Sequence, residues 1–155
     1  MMPPSGPGLA TLRGAKSPAA GRTRIAVQGL MKTYTSGGNE FVAVDNVSFE
    51  VSQGEFVALL GPSGCGKTTI LNMVAGLLPR SGGRILIDND TVETGKVNPR
   101  VGYVFQRDTL FPWRTVEQNI GYGLEIAGVP KLARAERVTE AIGKAGLTGF
   151  GRSFP

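Results

Sequence analysis

Short apolar runs separated by polar residues occur throughout the first part of the chain. Four of them are rich in β-branched or aromatic residues, a pattern that predicts β-strands. They are Arg24–Val27, Phe41–Val44, Val47–Val51 and Phe56–Leu60. The last run, FVALL, is apolar throughout instead of alternating. Such a strand is covered on both faces, as in a parallel sheet flanked by helices.

A different periodicity begins at Lys67. Apolar residues recur at helical spacing across Lys67–Leu78, and Pro79 with the glycines after it predicts the end of a helix there. Two further strands are predicted at Arg84–Ile87 and Val101–Phe105.

Two consecutive helices are predicted in the last third of the chain, at Thr115–Ala127 and Lys131–Ala145. Thr115 is a suitable N-cap residue, and Glu117 and Gln118 lie in the first turn that follows it. Strands on both sides of the first helix, followed by two successive helices, predict an α/β domain. We expect an antiparallel N-terminal β layer and the start of a helical subdomain.

Residues 1–22 differ from the rest of the chain in composition. They are rich in Pro, Gly, Ala and Ser, so we expect a disordered tail. Residues 1–24 contain basic residues and no acidic one, so the net charge of +5 is concentrated there. A basic tail could contact anionic lipid or nucleic acid, or simply increase solubility. Basic and aromatic residues are not interleaved as they are in surfaces that stack on bases, which argues against a nucleic-acid partner.

The composition favours a single cytoplasmic domain. A chain of 155 residues with 41% hydrophobic residues suits one compact domain. It contains no run of the ~18 apolar residues that a membrane-spanning helix needs, and no apolar middle region of a secretory signal. Its single cysteine cannot form an internal disulfide, which favours a reducing compartment.

The candidate chemistry lies in the loop between the buried strand and the first helix. The loop fits the pattern G-x-x-x-x-G-K-[ST], and its residues are Gly61, Pro62, Ser63, Gly64, Cys65, Gly66, Lys67 and Thr68, followed by Thr69. Its glycines let phosphates approach the backbone, and its amide N–H groups and the helix N-terminus attract anions. Lys67 is expected to reach the β- and γ-phosphates, and the Thr68 hydroxyl to bind Mg²⁺. An ordinary glycine-rich turn is the alternative, but the strand before the loop and the amphipathic helix after it favour a nucleoside triphosphate site.

Three longer segments extend this pattern beyond the loop. They are VDNVSFEVSQGEFVALLGPSGCGKTT, AGLLPRSGGRILIDN and VGYVFQRDTLFPWRTVEQNI. Together they make residues 25–155 resemble the ATP-binding subunit of ABC transporters, most closely the nitrate, sulfonate and taurine importer group. The resemblance implies a P-loop NTPase fold for residues 23–155, with ATP and Mg²⁺ as ligands. The β layer and P-loop core would occupy residues 23–106, and the helical subdomain would begin in residues 107–155.

The resemblance also implies roles for two residues outside the loop. Tyr34 matches the family's aromatic residue that stacks on adenine, although it could instead pack within a strand. Gln106, at the end of the predicted strand Val101–Phe105, matches the glutamine that contacts Mg²⁺ and the attacking water. A solvent-facing loop glutamine is the alternative for that position.

The resemblance further implies membrane partners. In the family, the region of Asp108–Arg114 helps to form a groove that receives a helix of the membrane-spanning permease. Phe111 and Trp113 would be apolar anchors for this contact, or would pack inside the subdomain. The complete protein would pair with a second ATPase subunit, lie on the inner face of the cell membrane and serve a solute-binding protein indirectly.

We expect the chain to be an N-terminal fragment of such a protein. It stops where the family's signature segment would begin, before the acidic strand and the switch histidine, and it contains no histidine. Asp88 follows an apolar strand like a magnesium aspartate, but it comes too early in the chain, where the family has a hairpin. The fragment is therefore expected to hydrolyse ATP negligibly, and Phe56–Leu60 is expected to expose unpaired edges.

Two other functions stay open. One is a regulatory nucleotide-binding module that never hydrolyses ATP. The other is an ABC-type ATPase that acts on nucleic acid, which the basic N-terminal residues weakly favour.

Overall fold

A computed structural model describes residues 10–13, 21–106 and 109–155. The chain forms two compact units, one that ends at Tyr103 and one that comprises Val104–Pro155, whereas the sequence placed this boundary after residue 106. In chain order the elements are β1 (Ala10–Arg13), β2 (Thr23–Ser36), β3 (Asn39–Ser52), β4 (Val57–Leu60), α1 (Lys67–Val74), β5 (Gly82–Ile87), β6 (Asp90–Thr91), α2 (Val116–Ile126) and α3 (Lys131–Lys144).

The first unit contains the predicted antiparallel layer, a four-stranded sheet in the order β3-β2-β5-β6. Strands β2 and β3 form a long hairpin in which Ser36 pairs with Asn39 across Gly37 and Gly38. Both glycines have positive φ, as tight two-residue hairpin turns require. The separately predicted runs Phe41–Val44 and Val47–Val51 belong to one strand, β3.

The core of the first unit lies between this sheet and α1. Alternate residues of the strands and one face of the helix supply apolar side chains, each of which contributes about 1.5–3 kcal/mol when fully buried. The buried cluster consists of Val27, Leu30, Val44, Ile70, Met73, Val74, Ile85, Ile87 and Val92. Packing against the sheet therefore fixes the position of α1 and of the loop that precedes it.

The structure differs at Ala10–Arg13 from the disorder predicted for residues 1–22. These residues form β1, which pairs antiparallel with β4 from Ala10–Leu60 to Arg13–Val57. No other strand in the described part of the chain pairs with β4. Because unpaired N–H and C=O groups at a strand edge bind another extended segment, β1 satisfies one edge that was expected to be open. Residues 1–9 and 14–20 lie outside the described residues.

The predicted strand Val101–Phe105 is also wrong. The described structure has no strand in this segment, and the Val101 N–H closes a turn by donating to the Asn98 carbonyl at 3.0 Å. A β-strand exists only as part of a hydrogen-bonded ladder, and the four-stranded sheet ends at β6 without adding this segment. An apolar run therefore does not suffice to define a strand.

Helix α1 is shorter than predicted, because it ends at Val74 with Ala75 as C-cap. Gly76 follows at φ 75°, a left-handed conformation that glycine accommodates at the end of a helix. The predicted helices of the second unit are confirmed as α2 and α3. Thr115 caps α2 in a capping box with Gln118, as the sequence around Thr115 indicated.

Among the described residues, none of the helices is both long enough and apolar enough to span a membrane.

Candidate functional site

The glycine-rich loop connects β4 to the N-terminus of α1. Gly64 and Gly66 have φ values of 80° and 93°, and Gly66 is the N-cap residue of α1. A Cβ atom at Gly66 would lie 2.6 Å from the Ala43 carbonyl oxygen and 3.1 Å from a Val44 methyl carbon. Both the conformation and the close approach of β3 therefore require glycine at this position.

The ammonium group of Lys67 lies within this loop. Its Nζ donates hydrogen bonds to the Gly61 carbonyl at 2.8 Å and to the Pro62 carbonyl at 2.6 Å. It also lies 3.5 Å from the Cys65 Sγ. The Lys67 side chain is half-buried, so the loop itself holds a positive charge close to its own backbone.

The N-terminus of α1 adds to this positive character. The helix has neither an acidic residue in its first turn nor a side-chain cap on its first N–H groups. Its N-terminal N–H groups and helix dipole are therefore left to attract an anion. Thr68, in the first turn, is exposed, so its hydroxyl can supply the hard oxygen ligand that Mg²⁺ prefers. The loop thus offers hydrogen-bond donors to a phosphate and an oxygen ligand to Mg²⁺.

Tyr34 lies on β2 near the tip of the β2–β3 hairpin. The residue is 41% exposed, and the Lys32 Nζ lies 4.8 Å from the centroid of its ring. Phe41 is its partner across the hairpin. The exposed part of the ring is therefore available to a planar ligand, and adenine stacking at Tyr34 stays a prediction. Lys32 was not singled out from the sequence, although a lysine two residues from a strand aromatic lies on the same face.

Gln106 belongs to the second unit and is exposed in a bend, not at the end of a strand. Its contact with Mg²⁺ stays a prediction. Asp108, the first residue of the predicted permease-contact region, lies outside the described residues, as does Arg107.

Phe111 and Trp113 have different surroundings in the second unit. Phe111 is half-buried and packs edge-on against Tyr122, with ring centroids 4.7 Å apart. Trp113 is 71% exposed, and its ring lies 5.5 Å from that of Phe111. Phe111 therefore packs within its own unit, whereas Trp113 presents an aromatic surface to solvent.

Asn119 holds the segment that carries these aromatic residues. Its side-chain Oδ1 accepts from the Phe111 N–H at 2.8 Å. Its Nδ2 donates to the carbonyls of Phe111, Arg114 and Thr115 at 2.9–3.1 Å. Sequence reasoning missed this role, since a helical asparagine gives no local signal of the loop it supports.

Asp88 is part of a charged cluster at the β5–β6 turn. It pairs with Arg24 at 2.6 Å and with Arg100 at 3.7 Å, and Arg100 also bonds Asp90 at 2.5 Å. The hydrogen bond that Arg100 donates to Asp90, and the charge of that carboxylate, raise the pKa of Arg100 above its ordinary value. Asp88 and Asn89 form the positive-φ turn of the expected hairpin, so Asp88 has a structural role here.

Comparison with known proteins assigns the chain to a family. Residues 44–155 match the family model described as ABC transporter. An uncharacterized ABC transporter ATP-binding protein of Methanocaldococcus jannaschii is 42% identical over 134 residues, which cover 86% of this chain and 49% of that protein. The taurine import ATP-binding protein of Rhizobium johnstonii is 44% identical over 118 residues, 76% of this chain and 44% of that protein. The Fe(3+) ions import ATP-binding protein of Escherichia coli is 46% identical over 125 residues, 80% of this chain and 36% of that protein.

The fold is similar to that of solved ATP-binding cassettes. A dimeric cassette in a post-hydrolysis state, bound to ADP and Pi, matches with a TM-score of 0.69 at 28% identity. The match covers 84% of this chain and 61% of that one. The chain therefore belongs to the ABC transporter family, as an ATP-binding domain with the predicted α/β fold. It spans about half, or less, of the length of the curated relatives named above.

Proposed function

We propose that this chain binds Mg-ATP at the loop Gly61–Thr68 and couples it to solute import as part of an ABC transport ATPase. The observation that carries the proposal is the Lys67 ammonium, held within a glycine-specific loop at the N-terminus of α1. Membership of the family supports it, and the related cassette bound to ADP and Pi has the same fold.

Binding of a phosphate would replace the carbonyl acceptors of the Lys67 ammonium with phosphate oxygens. The ammonium now donates to two neutral carbonyls, and a phosphate oxygen is a stronger acceptor because it is charged. The N–H groups of the loop and of the first turn, including Thr69, would complete the anion site. Thr68 and Gln106 would hold Mg²⁺, which neutralises charge on the phosphates when it is bound.

The Tyr34 ring would hold the adenine base of ATP by stacking on it. Its aromatic ring offers a broad apolar face with few rotatable bonds, so stacking adenine costs little side-chain entropy. The Lys32 ammonium lies over the ring, which favours the opposite face for the base.

The named relatives support the transport part of the proposal. Two of them are import ATP-binding proteins, one for taurine and one for Fe(3+) ions. We propose that the complete protein works with a membrane permease, at the inner face of the membrane, in an importer that has its own solute-binding protein. The exposed Trp113 is the aromatic anchor available for the permease. The identity of the solute does not follow, because the relatives serve chemically unlike solutes.

Titration of the purified chain with Mg-ATP tests the nucleotide site. Lys67→Ala removes a charged donor worth about 1.5–3 kcal/mol, so the Kd should rise roughly 10- to 100-fold. Lys96→Ala is the matched control, because Lys96 is an exposed lysine of the same unit and forms its ion pair, within the described part of the chain, with Glu93. Its Kd should equal that of the unaltered chain. The proposal would be overturned if the folded chain does not bind Mg-ATP, or if it binds Mg-ATP equally well after Lys67→Ala.

A further inference from the structure

Strand β4 leads directly into the phosphate loop (Gly61–Thr68), and β1 is the strand that pairs with it. The antiparallel ladder pairs Arg13 with Val57 and Ala10 with Leu60, and Leu60 is the last residue before the loop. The four-stranded sheet does not include β4, and in the described ranges of the chain no strand other than β1 pairs with it. The backbone of β4 therefore depends on β1 for its ladder hydrogen bonds.

The two ends of the phosphate loop are held by different parts of the first unit. At its C-terminal end, α1 packs on the four-stranded sheet and Gly66 lies against the backbone of β3. At its N-terminal end it continues β4, of which Leu59 packs against the hydrophobic core. This end carries the carbonyls of Gly61 and Pro62, which accept from the Lys67 ammonium at 2.8 and 2.6 Å. The position of β4 therefore determines where these two carbonyls lie.

We propose that Ala10–Arg13 are positioning residues for the phosphate loop, and that pairing of β1 with β4 increases the affinity of the loop for Mg-ATP. This inference rests on the proposed function, which assigns the loop to Mg-ATP. Without the ladder, the backbone of β4, Gly61 and Pro62 would be freer, and binding would have to order it. A two-stranded ladder is marginally stable by itself in water, so β1 can separate from β4 while the four-stranded sheet stays folded.

Pairing and binding then stabilise each other. If loss of the ladder weakens Mg-ATP binding by a given factor, bound Mg-ATP strengthens the ladder by the same factor. The backbone N–H groups of β1, which lie outside the loop, should therefore exchange with solvent deuterium more slowly when Mg-ATP is bound. A strand with a merely structural role would exchange at the same rate with and without the ligand.

Hydrogen–deuterium exchange of the unaltered 155-residue chain is the first experiment. Exchange at Ala10–Arg13 is measured without ligand, with saturating Mg-ATP, and in Lys67→Ala at the same ATP concentration. Mg-ATP should slow exchange in the unaltered chain about threefold to tenfold, which corresponds to one hydrogen bond of the ladder. The Lys67→Ala chain should show little slowing, because its Kd is expected to be higher. This measurement needs no substitution in β1.

Two proline substitutions in the full chain test the ladder directly. Neighbouring residues of an antiparallel strand alternate between an N–H that faces the partner strand and one that faces away. Thr11→Pro and Leu12→Pro therefore remove, between them, one donor to β4 and one donor at the outer edge of β1. One of the two should raise the Kd for Mg-ATP about threefold to tenfold, and the other should raise it less.

Valine at the same two positions provides the conservative variants. Thr11→Val and Leu12→Val keep the backbone N–H, and valine favours strands, so both chains should bind Mg-ATP with the original Kd. Thermal unfolding of every chain reports on the four-stranded sheet, which does not contain β1, so the unfolding temperature should change little.

The inference is overturned if Mg-ATP does not slow exchange at Ala10–Arg13, or slows it equally in Lys67→Ala. It is likewise overturned if neither proline substitution weakens binding, if the valine substitutions weaken it as much, or if affinity falls only in chains whose unfolding temperature also falls. Failure of the proposed function is a separate result, because a folded, unaltered chain that does not bind Mg-ATP is recognised before any variant of β1 is made.

Discussion

At the scale of single residues, the loop sequence predicted the backbone conformation at its glycines. Gly64 and Gly66 adopt the left-handed φ values for which the motif needs glycine, and the Lys67 ammonium donates to a carbonyl of the loop. The motif did not predict that β3 presses against Gly66, because that contact depends on a strand some twenty residues earlier. It also did not predict the hydrogen bond from the Tyr103 hydroxyl to the Asn72 Oδ1. The sequence around neither residue indicates which residue it contacts in the fold.

Gly66→Ala tests how tightly the phosphate loop is held. The new methyl group would meet the Ala43 carbonyl in a strained backbone conformation, so we expect a loss of about 1–3 kcal/mol in the free energy of unfolding. Mg-ATP affinity should fall as well, because the loop must shift. Chemical denaturation and titration measure the two effects.

Gly123→Ala is the control for this substitution. Gly123 lies in α2, and a Cβ atom there meets no other atom within 4 Å. Since alanine favours helix, the control should be neutral or more stable by up to about 1 kcal/mol. Equal stability of the Gly66→Ala and Gly123→Ala chains would show that the loop is not held as described.

At the scale of elements, helices were predicted well and strands less well, for a physical reason. The helices α2 and α3 form their hydrogen bonds within themselves, so their spacing and the cap at Thr115 suffice to predict them. A strand depends on a neighbour that local sequence does not specify. The apolar run Val101–Phe105 has no place in a ladder, whereas Ala10–Arg13, within a stretch with little to bury, pairs with β4.

Thr115→Ala tests the cap of α2. The Thr115 hydroxyl accepts from the Gln118 N–H at 3.4 Å, and Gln118 accepts from the Thr115 N–H at 2.9 Å. We expect the second unit to lose about 0.5–2 kcal/mol of stability. We expect a value near the lower limit, because the Val116 and Glu117 N–H groups donate to the Ser153 and Gly151 carbonyls and would keep these hydrogen bonds in the variant.

Denaturation followed by Trp113 fluorescence measures this effect, since Trp113 is the chain's single tryptophan and lies two residues before Thr115. Thr115→Ser keeps the hydroxyl and should be nearly neutral. If alanine and serine destabilise the unit equally, the capping bond contributes nothing measurable.

At the scale of the whole molecule, the chain belongs to the ABC transporter family and spans about half, or less, of the length of its relatives. The related cassette in its post-hydrolysis state is a dimer. Phosphoryl transfer depends on positioned groups around the transferred phosphate, and in a dimer a second subunit can supply some of them.

We therefore expect binding of ATP to be separable from hydrolysis in this chain. Steady-state release of phosphate by the purified chain should not exceed that of its Lys67→Ala variant, although only the unaltered chain should bind Mg-ATP well. A phosphate assay over a range of protein concentrations measures this. Turnover that is dependent on Lys67 would contradict the expectation, and turnover that rises steeply with concentration would indicate self-association.

The bonds from Lys67 to the carbonyls of Gly61 and Pro62 have a consequence for the speed of binding. These bonds close the loop into a ring, so binding of a triphosphate exchanges the acceptors of Lys67 and requires no search for a loop conformation. The association rate should then be set by diffusion and long-range charge attraction. Differences in affinity among ligands should lie in their dissociation rates.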